Sequence, residues 1–295
     1  MKNMIKNKKL ETKKLVEVSP RISVFMGTVA SREGRDELAE NHAAERSAIK
    51  ASVQLLPKHL QKSLRGHTNG IRDLILRYSI PYGNGNRIMK VANYPMLEKE
   101  LNKKVAAYKI FVQDNVIANY DSLVSMAQIK LNGLYRDDMF PSKESLAYKY
   151  GAHITVKPMT DTDKVSFVIE GLEQAKVDEI RENLKREIEA NLREGQKRVI
   201  SELKRDLMNI FDKTQKKDGE NARYKAAVRS LLEKADNVKN TNILEIPELT
   251  KTANDIHEKF SKVTSSAVKA NGEKATKKIG EDASNLIDAL DAINF

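Results

Sequence analysis

The sequence predicts an α+β fold that is predominantly helical, with a mixed N-terminal region followed by an all-helical C-terminal region. Charged residues make up 32% of the chain and hydrophobic residues 40%, a balance that is typical of exposed helices. Apolar residues recur at steps of three and four over residues 96–135 and 173–217, which is the helical period. Signals for strands and a hairpin occur only in the first 170 residues.

The first half of the mixed region combines one strand with several helices. Residues 1–14 are predicted to be a basic flexible tail, and residues 15–26, rich in β-branched side chains, a strand that is interrupted near Pro20. Residues 33–55 are predicted to form one helix. Pro57 then starts a short basic helix that ends at Gly66, and residues 70–78 add a helical turn or two.

The second half of the mixed region is predicted to contain a short sheet built around a hairpin. Gly and Asn alternate at residues 83–86, and both tolerate positive φ, so a hairpin turn is expected there. A long helix follows over about 96–135, and Ser142 can cap a short helix after it. Residues 152–158 and 165–170 are predicted to be extended.

The C-terminal region, residues 171–295, is predicted to be entirely helical and is divided from residues 15–170 at Gly171. Its first helix carries a narrow apolar seam among 12 basic and 11 acidic residues of 173–218, which is typical of a coiled-coil arm. The seam is expected to bind a partner or a second copy, or to pack against the later helices of 221–238, 247–270 and 275–293. The seam residues are Ile180, Leu184, Ile188, Leu192, Val199, Leu203 and Leu207.

The net charge of +11 is concentrated near the N-terminus. Residues 1–14 carry a net charge of +5, residues 15–45 a net charge of −3, and residues 46–90 a net charge of +8. The remaining residues, 91–295, contribute only +1. A basic segment joined to a nearly neutral remainder indicates a surface that faces an anion.

Aromatic residues are interleaved with the cations of this basic segment. Single-stranded nucleic acid is held by cations along its phosphates and by aromatic faces that stack on its bases. The alternative interpretation is that the tyrosines are core residues and the cations a solvated face. The predicted nucleic-acid-binding residues are Lys58, Lys62, Arg65, Arg72, Arg77, Tyr78, Tyr82, Arg87, Lys90 and Tyr94.

The sequence offers little for catalysis or metal binding. The chain has no Cys, which excludes disulfides, cysteine nucleophiles and thiolate metal sites. His59 and His67 have no acidic residue between them, and neither glycine-containing segment matches a phosphate-binding loop. The adjacent Asp137 and Asp138 are expected to be structural. No metal, cofactor, catalytic residue, transmembrane segment or export signal is predicted, so the chain is expected to act in a reducing cytoplasm.

The order of the motifs resembles that of the uncharacterised DUF-3150 family of bacteriophages and mobile elements. The similarity rests on Asn119-Tyr120-Asp121, Phe140-Pro141-Ser142 and Asn242-Ile243, and on the segments around them. The resemblance implies a phage protein of the host bacterial cytoplasm, without a known activity. Family members accompany a MoxR-like AAA+ ATPase and a von Willebrand A-type protein, so the resemblance implies that this chain is an adaptor or a substrate of such a machine.

The sequence therefore predicts a non-enzymatic phage accessory protein that binds nucleic acid, preferably single-stranded DNA, in replication or transcription. The helical C-terminal half is expected to self-associate or to hold a protein partner. The alternative is a protein–protein adaptor or inhibitor, acting with the AAA+ ATPase and von Willebrand A-type pair or on a host defence factor.

Overall fold

The structure is a computed structural model that describes residues 14–83, 85–159, 173–215, 221–263 and 265–293. The predicted α+β, predominantly helical fold is confirmed. The helices are α1 Arg32–Asn41, α2 Lys58–Tyr78, α3 Tyr94–Val112, α4 Tyr120–Leu131, α5 Lys143–Tyr148, α6 Gln174–Gln215, α7 Asn221–Thr241, α8 Pro247–Phe260 and α9 Ser265–Asp291. The strands are β1 Leu15–Ser23, β2 Thr28–Ala30, β3 Ser52–Gln54, β4 Ile80–Pro81, β5 Arg87–Lys90 and β6 Gly151–Pro158.

The strands form two sheets. A four-stranded sheet has the order β4-β5-β1-β6, and β1 is antiparallel to β5 with Leu15 opposite Lys90. β2 and β3 form a separate antiparallel pair, with Val29 opposite Val53. Because Val53 is buried in this ladder, the predicted helix over 33–55 is wrong beyond Asn41, where α1 ends.

Three further predicted elements have different bounds in the structure. β1 runs through Pro20 without interruption. α2 continues through Gly66, because the burial of Leu64 and Ile71 on either side outweighs the low helix propensity of glycine. The predicted 96–135 helix is divided into α3 and α4 by a π-helical segment over 113–117. The predicted strand over 165–170 lies outside the described residues.

The described chain forms two compact units that are not contiguous in sequence. The first comprises residues 14–19, 76–95 and the described residues from 155 onward; the second comprises 20–75 and 96–154. This division differs from the predicted regions 15–170 and 171–295, because the hairpin segment 76–95 belongs to the same unit as the C-terminal helices. The predicted boundary at Gly171 lies outside the described residues.

In the first unit, α6, α7, α8 and α9 form a helical bundle with an aliphatic core. Ion pairs join neighbouring helices of the bundle: Asp206–Lys234 between α6 and α7 (2.9 Å), Asp282–Lys259 between α9 and α8 (2.7 Å), and Asp291–Lys204 between α9 and α6 (2.6 Å). Between α7 and α8, Nε2 of His257 lies 3.1 Å from the Asp236 carboxylate. The most deeply buried core residues include Leu203, Leu207, Ile210, Leu231, Leu249, Ile256, Phe260, Ala283 and Leu290.

The N-terminal half of α6 packs on the β4–β5 hairpin in the same unit. Ile188 and Leu192 share a small buried cluster with Ile80 and Ile88 of the hairpin. Gly195 makes this approach possible, because a Cβ atom at that position would collide with the backbone oxygen of Pro81.

In the second unit, tyrosine hydroxyls fix extended backbone against the helices. The hydroxyl of Tyr108 donates to the backbone oxygen of Ser23 at 3.0 Å, and that of Tyr150 donates to the oxygen of Phe25 at 3.0 Å. Burial raises the pKa of Tyr108 to about 12 and also raises that of Tyr150. The side chain of Ser142 accepts from the Ser145 N–H at 3.3 Å, so the predicted N-cap of α5 is confirmed.

Candidate nucleic-acid interface

The predicted hairpin is present between β4 and β5. Ile80 lies opposite Ile88, and the Tyr82 N–H donates to the Asn86 oxygen at 2.9 Å. Gly83 and Gly85 have φ values of 53° and 77°, a region that L side chains rarely adopt. Glycines with positive φ thus form the hairpin turn, as the sequence pattern predicts.

Several predicted binding residues of the hairpin stabilise the protein's own fold. Tyr78 is 8% exposed, so its ring is not available to a base. Tyr82 is half-buried against the hairpin cluster, and burial raises its pKa to about 12. The guanidinium of Arg87 donates to the Ser79 hydroxyl at 2.8 Å and to the Ser79 backbone oxygen at 2.6 Å. Burial lowers the Arg87 pKa to about 10. The two contacts with Ser79 show that this side chain stabilises the protein's own structure.

Lys90 and Tyr94, the remaining predicted residues of the hairpin segment, are also half-buried, whereas Arg77 is exposed. All six residues of this segment belong to the first unit. The hairpin therefore offers one exposed cation and no fully exposed aromatic ring among its predicted binding residues.

The predicted residues on α2 have a different environment. Lys58, Lys62, Arg65 and Arg72 are all exposed, and all lie within the second unit. Their spacings of four, three and seven residues place them within about 80° of one another around a helix with 3.6 residues per turn. At 1.5 Å per residue, the row is about 21 Å long. We refer to these four residues as the α2 cation row.

The α2 cation row is poorly neutralised. Asp73 is the one acidic residue of α2, and no ion pair joins Lys58, Lys62 or Arg65 to another described residue. Arg72 donates to the side-chain oxygen of Asn69 at 3.1 Å, which leaves its charge intact. The row therefore presents four positive charges to solvent.

The first cation of the row has an unfavourable position in its helix. Lys58 is the first residue of α2, whose first turn contains no acidic residue. The N-terminal end of a helix has a partial positive charge that acts within the first turn, so a cation there is destabilising by about 0.3–1 kcal/mol. The stability of α2 therefore does not explain why a lysine occupies position 58.

The structure adds a basic residue that the sequence did not single out. A Cβ atom on Gly70 of α2 would lie 3.5 Å from Nζ of Lys104 on α3, so this ammonium lies beside the α2 backbone. Lys104 is exposed and belongs to the same unit as the α2 cation row. No sequence signal could have assigned it, because the pairing of α2 with α3 depends on the tertiary fold.

The predicted seam of α6 packs largely against the chain's own residues. Leu203 and Leu207 lie in the bundle core, and Ile188 and Leu192 lie against the hairpin. These four side chains are at most 6% exposed and leave little surface for a partner. The half-buried members of the seam are Ile180, Leu184 and Val199.

Asp138, one of the adjacent acids considered from the sequence, takes part in a surface ion pair. The guanidinium of Arg136 pairs with Glu33 at 2.9 Å and with Asp138 at 3.0 Å, on an exposed surface. A backbone hydrogen bond and the Arg136 contact lower the pKa of Glu33.

Within the described ranges, no three His, Asp or Glu side chains lie close enough to hold a metal ion. No helix in the same residues has the length and apolar character needed to cross a membrane.

Searches of protein-family models, curated proteins and solved structures found nothing that matches this chain. The resemblance to the DUF-3150 family consequently stays a prediction.

Proposed function

We propose that the protein is a non-enzymatic nucleic-acid-binding protein that holds a phosphate backbone along the α2 cation row. The observation that carries the proposal is the exposure of four cations in one row, without acidic partners among the described residues, and with Lys58 at the unfavourable end of the helix. Phosphates are the natural counterions of such a row. Binding by this row is independent of base sequence, because phosphate contacts position a nucleic acid without reading it.

The shape of the row matches one phosphate backbone. The cations occupy one narrow stripe about 21 Å long, and such a stripe follows a single backbone, either of a single strand or of one strand of a duplex. We retain single-stranded DNA as the preferred ligand, and the comparison of a single strand with a duplex tests that preference. A role in phage replication or transcription is supported only by the family resemblance.

The test compares the salt dependence of binding in two matched variants of the full chain. Lys58→Gln, Lys62→Gln and Arg65→Gln together remove three charges from the row. Binding of a fluorescein-labelled single strand and of the same sequence as a duplex is measured by anisotropy between 50 and 200 mM salt, the range over which phosphate contacts are commonly assessed. Each phosphate contact to a single strand contributes about 0.7 to the slope of log K against log salt.

The expected result follows from that slope. Removing three contacts lowers its magnitude by about 2.1, so over this fourfold salt range the wild type loses about 20-fold more affinity than the variant. The variant is expected to fold, because removing positive charge near a helix N-terminus is favourable. The control removes exposed cations from the bundle helices: Lys185→Gln, Arg205→Gln and Lys251→Gln.

Two results would contradict the proposal in different ways. If the wild type binds neither nucleic acid at low salt, nucleic-acid binding is excluded and the adaptor alternative is favoured. If the row variant and the control lose affinity equally, binding exists but occurs at a different surface.

A further inference from the structure

An aromatic pair lies between α2 and α3 in the same unit as the α2 cation row. The rings of His67 and Phe111 have centroids 4.8 Å apart and an interplanar angle of 36°. Both side chains are partly exposed, whereas Tyr108, one turn earlier on α3, is fully buried beneath them. The pair therefore forms the outer layer of the aromatic packing between these helices.

The helix surface next to His67 has a gap in its side-chain cover at Gly66. Gly66 is exposed, and apart from its chain neighbours Arg65 and His67 and the helix's own backbone, no atom lies within 4 Å of a Cβ atom added there. A glycine in a helix interior is destabilising by about 1 kcal/mol relative to alanine, and no neighbouring atom requires glycine here. Glycine does allow a flat group to approach the helix backbone closely.

Cations adjoin the open surface from both helices. Lys104 lies two turns before Phe111 on the same side of α3, with its ammonium beside Gly70. Lys62 of the α2 cation row lies one turn before Gly66. An aromatic surface between cations is the arrangement with which proteins stack bases and bind the adjoining phosphates.

We propose that an unpaired nucleobase stacks on the Phe111–His67 pair through the opening at Gly66, while Lys104 and Lys62 contact the phosphates on either side. This inference rests on the proposed function and assigns the preference for single strands to one site. The bases of a duplex are stacked on each other and cannot enter this opening, so the site accepts single-stranded DNA or RNA.

Fluorescence gives a direct test, because the chain contains no tryptophan. Phe111→Trp places a single indole at the proposed platform of the full-length protein. Adding an oligothymidylate of about 16 nucleotides, the upper site size of a single-strand-binding module, should quench and saturate its emission. A strand of the same length with abasic sugars should bind through its phosphates without quenching, and a duplex should also leave the emission unchanged.

Affinity measurements provide the second test. Phe111→Leu keeps an apolar side chain but removes the ring, and it should weaken binding of oligothymidylate by about 5- to 150-fold, the effect of losing one stacked base. Its affinity for the abasic strand should equal that of the wild type. Tyr148→Leu is the control, since Tyr148 is an 87% exposed ring of the same unit outside the proposed site.

If the Phe111 variants fail to fold, Gly66→Leu provides an independent test of the stacking site. Leucine has a higher helix propensity than glycine and has open space at this position, so this variant should fold. A leucine next to His67 should obstruct a base that approaches across Gly66, and it should weaken oligothymidylate binding while leaving abasic binding unchanged.

The outcomes separate this inference from the proposed function. If wild-type protein binds oligothymidylate with the expected salt dependence, but Phe111→Leu and Gly66→Leu bind it equally well, the stacking site is wrong and the phosphate row remains. Absence of quenching in a folded, binding-competent Phe111→Trp protein would also overturn the stacking site. If no nucleic acid binds the wild type, both the site and the proposed function are wrong.

Discussion

Two helical glycines, Gly195 and Gly66, should respond in opposite ways to replacement by alanine. A Cβ atom at Gly195 would collide with the backbone oxygen of Pro81 and lie 3.0 Å from Cδ1 of Ile80. At Gly66 the same atom would meet nothing within 4 Å. The substitution and the secondary structure are the same at both positions, so only the surrounding space differs.

The expected magnitudes combine helix propensity with packing. Alanine is favoured over glycine in a helix interior by about 1 kcal/mol, which should appear in full for Gly66→Ala. At Gly195 an overpacking cost of about 1–3 kcal/mol opposes this gain. We expect the upper part of that range, because the carbonyl of Pro81 belongs to β4 and cannot rotate away. Gly195→Ala should therefore be destabilising by about 1–2 kcal/mol net.

Urea unfolding followed by circular dichroism measures both free energies of unfolding. The wild type is the common reference, and hydrogen exchange of peptides from α2 and α6 shows which part of the chain each variant affects. Gly66→Ala should protect α2, whereas Gly195→Ala should increase exchange in α6 and in the β4–β5 hairpin.

A Gly195→Ala variant as stable as the wild type, or more stable, would contradict the close contact between α6 and β4. That result would mean that α6 does not approach β4 closely enough to exclude a methyl group. A loss of stability in Gly66→Ala would likewise contradict the open environment of that position.

Four further substitutions test other contacts by urea unfolding. Leu231→Ala, at a fully buried position of the bundle, should be destabilising by about 2–5 kcal/mol. Asp206→Ala should be destabilising by about 1–3 kcal/mol, because Asp206 is 9% exposed and binds Lys234 at 2.9 Å and Ser230 at 2.8 Å. Lys234→Met should cost at least as much as Asp206→Ala, because it leaves the buried Asp206 carboxylate without its cation, whereas the more exposed Lys234 can be solvated when Asp206 is removed. A smaller loss in Lys234→Met would contradict this account. Burial raises the folded-state pKa of Tyr108 to about 12 from 10, so the unfolded chain loses this proton first and wild-type stability should fall between pH 10 and 12. In Tyr108→Phe this decline should be shallower, and an identical pH dependence would contradict the assignment.

Local signals accounted for the elements that were predicted correctly. The Gly-Asn turn at 83–86 predicts a hairpin, and Ser142 predicts an N-cap, since both depend on residues adjacent in sequence. The 173–217 pattern predicts a long helix because its apolar spacing holds over many turns, and α6 spans nearly this range. Gly66 misled the prediction, because a single helix breaker is outweighed when the helix buries residues on both sides of it.

The candidate site shows where sequence reasoning is insufficient. The spacing of Lys58, Lys62 and Arg65 placed them on one helix face, and the structure has them exposed. Tyr78 is also at a helical position beside cations, yet it is buried. The sequence left both interpretations of this tyrosine open, because periodicity defines a face but not what covers it.

The helical character of the chain, the hairpin turn and the concentration of positive charge before residue 90 follow from the sequence alone. These properties depend on composition and on residues a few positions apart. The tertiary structure was needed to show that the hairpin belongs with the C-terminal helices, that α6 buries its seam partly in the bundle and partly against the hairpin, and that Lys104 and Phe111 lie beside α2. Those outcomes depend on pairings between distant segments, and such pairings are set by complementary shape and burial across the whole chain, which no local pattern encodes.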